Sequence, residues 1–349
     1  MRERAPLREK IYLLKKALRH KSIAQPLVIL LRVVRKLKKW LLTLARYLAG
    51  KPLFILLKHQ RRENEIYLLI GSAVGDSVYG LAYIEALRKK YPAKRIVVLG
   101  AAKNASFLRT YPCIDELRLS DINYVGLMVA SHQVEKCFAE NIIIPIPSYF
   151  KRFKQAEYKA TLFNIRRYIY DLPDNSPITY HALPVKPVTA IPDFANEKAR
   201  IVIVNPYDKT SKYYDMEVFK PLCNILQERG YIVYTNILPF QTAISGSRPL
   251  KCSLEELYSI ACQIKLIVSR RSGALDFLIP SGINMFALDD LGKYSAPNKF
   301  FEFYPLSEWH AQGKIYEVKY YRQEADSLAS IPEKFTRFLD ELHQEGRLS

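Results

Sequence analysis

The fold is read from residues 67–100, YLLIGSAVGDSVYGLAYIEALRKKYPAKRIVVLG. With the preceding Ile66, the run Ile66–Ile70 is apolar without alternation, as a strand buried on both faces of a parallel sheet requires. The loop Gly71–Ser77 follows. Val78–Tyr91 then sets Leu81, Ile84, Ala86 and Leu87 at helical spacing and ends in Arg88, Lys89 and Lys90, cations that complement a helix C-terminus. Arg95–Leu99 reads as the next strand, Ala101–Tyr111 as a helical stretch, Glu116–Leu119 as a strand and Asn141–Ile146 as a further strand candidate. Strand and helix alternating at this spacing predict a doubly wound α/β domain.

Within that unit the chemical landmark is the loop Gly71-Ser72-Ala73-Val74-Gly75-Asp76-Ser77. Such folds place their sites between the carboxyl end of a strand and the start of a helix. Gly71 and Gly75 allow tight backbone and close approach of a ligand. Asp76 is then either a catalytic carboxylate or simply a helix N-cap, worth roughly 1 kcal/mol of helix stability. The glycines lack the G-x-G-x-x-G order of a dinucleotide fingerprint.

Outward from this unit, Asp171–Pro192 carries Pro173, Pro177, Pro184, Pro187 and Pro192 and reads as a linker. A second α/β unit begins at Arg200. Its expected strands are Ile201–Val204, Tyr231–Thr235, Leu266–Val268 and, last, Asn284–Leu288. Its expected helices are Met216–Gly230, one opened by a Ser253/Glu256 capping box, and one near Ser272–Ile279. The loop Ser269-Arg270-Arg271-Ser272-Gly273 combines two guanidinium groups, a hydroxyl and a glycine between a strand and a helix start. That chemistry suits a bound phosphate; it suits equally a surface turn whose arginines pair with local acids such as Asp276.

Charge divides the chain. Residues 1–62 hold 18 Lys and Arg against two acids, a net +16 of the total +19, and leave +3 for the remaining 287 residues. A nucleic-acid-binding body would carry its basic stripe on the folded domain, so the near-neutral remainder argues against that reading. In Pro26–Leu48 polar residues recur at spacings of three and four between Val33, Val34, Leu37, Trp40, Leu41, Leu44 and Leu48, and Leu7–Lys21 repeats the pattern. Two basic amphipathic helices are expected, either lying on an anionic membrane surface or packed on the protein with their charges solvated. No uncharged stretch there approaches the roughly 18–20 residues of a membrane span, and no cleavable signal is legible. The five cysteines form no CxxC pair, which predicts reduced thiols in the cytoplasm. Residues 151–170 are basic and aromatic. They fit an amphipathic helix through Tyr158, Leu162, Ile165 and Ile169, or, less well, a nucleic-acid stacking surface.

The quoted stretch resembles the opening of the heptosyltransferase-type glycosyltransferases, family 9 and its relatives, in its hydrophobic strand, its G-D loop and its helix with an "ALRKKYP" end. "FLRTYPCIDELRLSD" resembles that family's next segment, and "NPYDKTSKYYDMEVF" its lysine-bearing loop. "SLEELYSIACQIKLIVSRRSGALDF" is similar to its donor-binding helix, strand and loop, where the usual "DSGxxH" stands here as Arg271-Ser272-Gly273-Ala274-Leu275-Asp276. The resemblance covers roughly residues 64–290.

It implies a GT-B α/β fold: two Rossmann-like domains facing a cleft, here 63–180 for the acceptor and 190–349 for the nucleotide sugar, behind the basic amphipathic helical segment 1–62. It implies Asp76 as catalytic base, with Gly71, Ser72 and Gly75 in the acceptor loop. Donor contacts would come from Asn205, Lys209, Lys212, Arg270, Arg271, Ser272, Gly273 and Asp276, and residues 151–170 would border the acceptor. The implied reaction moves a sugar from a nucleotide-diphosphate sugar to a lipid-linked or surface-polysaccharide acceptor at the inner face of the cell membrane. No D-x-D triad is present, and Asp289-Asp290 reads as a strand-end turn, so transfer without metal or cofactor is expected. The competing expectation is a membrane-peripheral GT-B-like scaffold that binds nucleotide or glycan without turnover.

Overall fold

The computed structural model describes residues 24–145, 167–207 except 168 and 174, 216–237, 241–290, 306–321 except 310, and 324–348. Contacts gather the chain into two units: Met1–Gln60 with Gly126–Gln133, and Arg61–Val125 with Val134–Ser349.

The second unit contains two parallel sheets. The first has order β3-β2-β1-β4, from β1 (Glu65–Leu69), β2 (Arg95–Ala101), β3 (Glu116–Ser120) and the short β4 (Ile142–Ile143). β1 is buried along its whole length, in keeping with its unbroken apolar run. The second sheet has order β10-β9-β8-β5-β6-β7, from β5 (Ile201–Asn205), β6 (Ile232–Asn236), β7 (Arg248–Leu250), β8 (Leu266–Arg270), β9 (Asn284–Asp290) and β10 (Ile315–Tyr320). Every strand pair in both sheets is parallel. The long helix Ala325–Gln344 covers the second sheet. Its Ile331, Phe335, Phe338 and Leu339 share a core with Val202, Phe219, Phe286 and Tyr320.

Several expectations shift. The helix expected at Val78–Tyr91 starts four residues earlier and breaks at Ala82-Tyr83, giving Val74–Leu81 and Ile84–Lys90. β8 runs on through Ser269 and Arg270, so the expected phosphate loop is reduced to Arg271 and Ser272. β7, β10 and the helix Ala325–Gln344 add to the expected elements, and Asn284 opens the penultimate strand rather than the last one. Asp289 and Asp290 close β9 and do not form a turn. The helix expected at Leu7–Lys21 and most of residues 151–170 lie outside the described residues.

The proline-rich stretch forms no helix or strand among its described residues and is tied at both ends. Tyr170 donates to the Gly80 carbonyl, and the Thr179 backbone N–H to the Ala82 carbonyl at 2.8 Å. Further on, Lys186 N–H donates to Ser259 Oγ at 3.0 Å, and Thr189 and Ala190 N–H to Glu256 Oε1 at 3.2 and 2.9 Å. The capping box is thus only half formed. Ser253 Oγ accepts the Glu256 N–H at 3.1 Å, while the Glu256 carboxylate takes up the linker. All five cysteines are free, and burial pushes the thiols of Cys137, Cys223 and Cys252 up to about 12.

In the first unit, α1 (Ala24–Gln60) is one continuous helix of 37 residues through Pro52. Its segment Val33–Gln60 is long and apolar enough to cross a membrane by length and composition, although no uncharged run there is.

Candidate active site

In an open parallel sheet, ligands bind at the carboxyl ends of the strands where the order reverses. In the first sheet β2 and β3 lie to one side of β1 and β4 to the other, so the reversal is at β1. The Gly71–Asp76 loop leaves that point. In the second sheet β6 and β7 lie to one side of β5, and β8, β9 and β10 to the other. Asn205 ends β5, and Arg271 and Ser272 follow β8, so both stand at the second reversal.

The two reversal points touch. The helix Val74–Leu81 packs on the helix Gly273–Leu278. A Cβ on Gly273 would lie 2.6 Å from the Gly75 nitrogen and 2.9 Å from its Cα, and one on Gly75 would lie 3.0 Å from Gly273 Cα. The glycines expected to admit a ligand thus admit each other's backbone. Gly273→Ala, blocked by backbone and not by a movable side chain, is expected to lower stability by about 1–3 kcal/mol, read from denaturant midpoints; an unchanged midpoint would show that the two loops do not meet.

Asp76 lies in the first turn of its helix, half-buried, and is not the N-cap. Ala73 holds that position without a side-chain bond. A carboxylate in a first turn is favoured by the helix dipole. The loop is fixed from beneath by Ser77 and Asn104, which sequence reasoning did not single out. Ser77 is wholly buried; its Oγ donates to the Gly71 carbonyl at 2.8 Å and accepts from Asn104 Nδ2 at 2.9 Å. Ser72 and Gly71 are thereby held with Asp76 on one short loop.

On the facing side, Asn205 Nδ2 donates to Ser269 Oγ at 3.0 Å, and Asn236 Nδ2 to Asn205 Oδ1 at 3.1 Å. Arg270 is the last residue of β8 and not part of the loop that follows it. Its guanidinium pairs with Asp290 at 2.8 Å, the two side chains 2% and 3% exposed. Arg271 pairs with Asp276 at 2.8 Å, stands 3.5 Å from Glu317 and donates to Tyr79 Oη at 2.8 Å. Despite burial, which works the other way, Asp276, Tyr79 and Glu317 hold Arg271 more firmly protonated than an ordinary arginine. Burial raises the Glu317 carboxyl above its usual range, with Arg271 opposing and Asp289 adding to the rise.

Arg271 and Tyr79 bridge the two halves, and Trp309 joins them. Its ring lies 4.9 Å from that of Tyr79, and its Nε1 donates to Tyr79 Oη at 3.3 Å. Among the described residues, Ser272 Oγ is buried without a hydrogen-bond partner. Lys209 and Lys212 lie outside the described residues. Among the described residues, no group of three or more His, Cys, Asp or Glu is arranged to hold a metal ion. Tyr79, Trp309 and Glu317 escaped the sequence reading. Tyr79 follows Asp76 by three residues, a spacing that places both on one side of a helix, and that spacing is its only sequence signal. Nothing near Trp309 or Glu317 marks them.

No protein-family model and no curated protein sequence matches the chain. Solved structures do. It is similar to a glycosyl transferase family 9 protein from Veillonella parvula at 14% identity, with a TM-score of 0.51 over 74% of this chain and 86% of that one. It is similar also to the E. coli ADP-heptose LPS heptosyltransferase II at 16% identity, with a TM-score of 0.53 over 80% of this chain and 99% of that one. The two-sheet α/β fold of this chain is that of the heptosyltransferase-type GT-B glycosyltransferases.

Proposed function

We propose that the chain transfers a glycosyl group from a nucleotide-diphosphate sugar to a hydroxyl of a lipid-linked or surface-polysaccharide acceptor at the inner face of the cell membrane. One observation carries this reading. The reversal points of two parallel sheets, each where such sheets bind ligands, meet at Gly75 and Gly273 with Asp76 adjoining the contact. In the proposed reaction Asp76 takes the acceptor hydroxyl proton and the oxygen attacks the anomeric carbon. The bond to the diphosphate breaks, and the nucleoside diphosphate leaves with the electron pair. Residues 63–180 would bind acceptor and 190–349 donor. Ser272, Gly273, Asn205, Lys209 and Lys212 would hold the diphosphate, with Arg271 and Asp276 at its edge. No metal or cofactor is assigned.

A second reading has its own observation. Both arginines of the donor loop are ion-paired to the chain's own acids, as a scaffold without turnover would tolerate. A thermal-shift panel of ADP-, GDP-, UDP- and CMP-sugars separates the two. A true donor at 100 times its Kd stabilises by about 2.7 kcal/mol. Transfer from that donor, unaffected by EDTA, is expected. Stabilisation with no transfer to any acceptor supports the scaffold.

A further inference from the structure

We propose that α1 lies in the plane of an anionic bilayer, its apolar stripe buried in one leaflet. Val33, Leu37, Trp40, Leu44, Leu48 and Ile55 are exposed, from 39% for Leu44 to 62% for Leu48. At 3.6 residues per turn they share an arc of about 80°. A stripe of this size left in water marks an interaction surface.

The helix face to one side of the stripe already has a partner within the same unit. Gly50 is buried there, where a Cβ would meet Ser131 Oγ at 2.2 Å and the Leu127 carbonyl at 2.4 Å, and the Tyr47 ring stands 6.4 Å from that of His132. This seam fixes which face points outward, so packing within the unit does not cover the stripe.

Charge selects the occupant. The stripe belongs to a segment with a net charge of +16; exposed Lys36 lies beside it, and exposed Arg35 and Arg46 lie on the opposite face. A basic helix with an exposed apolar face and a tryptophan matches an anionic lipid surface. Lys51 interrupts the stripe over the Tyr47 ring at 5.3 Å, with a stem long enough to reach the headgroups.

The same residues argue against a span. The one eighteen-residue window in Val33–Gln60 with only two charges is Trp40–Leu57, and those charges, Arg46 and Lys51, sit on either side of its middle. Crossing would put both near the midplane, where hydrocarbon disfavours them strongly. It would also carry the exposed His132, next to the Gly50 seam, toward that depth, where an ionisable side chain is disfavoured.

The test is cosedimentation of the full chain with vesicles of phosphatidylglycerol and phosphatidylcholine, against phosphatidylcholine alone, together with emission and bromolipid quenching of Trp40 referenced to Trp40→Phe. Binding to the anionic vesicles only is expected, with shallow quenching of Trp40. Leu37→Asp/Leu44→Asp/Leu48→Asp, all at exposed positions, should weaken binding at least tenfold with an unchanged melting curve. Undiminished binding by the triple variant, or no binding by the wild type, overturns the proposal. Quenching deepest at the midplane with retention through alkaline carbonate overturns it in favour of a span. None of these readouts depends on glycosyl transfer.

Discussion

Asp76→Asn is expected to lower turnover by about 10²–10⁴-fold while leaving donor-induced stabilisation nearly unchanged. The substitution keeps the shape of the side chain and removes its capacity to accept a proton. Its effect on folding is small, because a first-turn carboxylate contributes only about 0.3–1 kcal/mol through the helix dipole. The loop that carries it is held independently by Ser77 and Asn104, so the backbone at Gly71, Ser72 and Gly75 stays in place. The wild-type donor, identified by thermal shift, is used for both proteins, and initial rates are compared at saturating donor. A variant within a few-fold of wild type would remove Asp76 from the chemistry. A variant that loses donor binding along with turnover would make it a binding residue. Glu317 offers an internal control. It is a buried carboxyl 3.5 Å from Arg271, raised above its usual range chiefly by burial, but it stands on β10 and not on the Asp76 loop. Glu317→Gln is therefore expected to spare the rate that Asp76→Asn abolishes.

What could be read from the sequence follows from what each element requires. β1 was legible because a strand buried on both faces must be apolar throughout, and Ile66–Leu69 satisfies that without context. The loop after it was legible because glycines and an acid between strand and helix are local features. β7 was not: it is three residues long, sits at a sheet edge and contains Pro249, a residue that argues against a strand anywhere but an edge. The helix Ala325–Gln344 carries a clear signal in Ile331, Phe335, Phe338 and Leu342, but Pro332 in its interior reads as a break. The site shows the same limit. Arg271 and Asp276 are close in sequence, and their pairing was one of the two readings open. Asp290 lies twenty residues from Arg270, and Tyr79 and Trp309 belong to other elements. Only the parallel register of β8 and β9, and the meeting of the two sheets' loops, brings those groups together.

Arg270→Ala is expected to lower stability by about 3–5 kcal/mol, because it leaves the Asp290 carboxylate buried without its cation. Against a total of about 5–15 kcal/mol for a folded domain this is a large fraction, and it should be plain in the urea midpoint. The pair lies between the carboxyl ends of β8 and β9, with Arg271 N–H donating to the Leu288 carbonyl at 2.8 Å beside it. It therefore sets the angle at which β8 delivers Arg271 and Ser272. The double variant Arg270→Met/Asp290→Leu is expected to regain most of the loss, since an apolar pair of similar volume replaces two buried charges without leaving either alone. Comparing the two separates the roles proposed for Arg270. If it acts structurally, the double variant binds donor nearly as wild type does. If its guanidinium instead reaches the diphosphate, Arg270→Ala melts like wild type, the double variant is no better, and both lose donor-induced stabilisation. The 2% exposure of the Arg270 side chain and its 2.8 Å contact with Asp290 favour the first outcome, and would leave contact with the leaving diphosphate to Ser272, Gly273 and the lysine-bearing loop after β5.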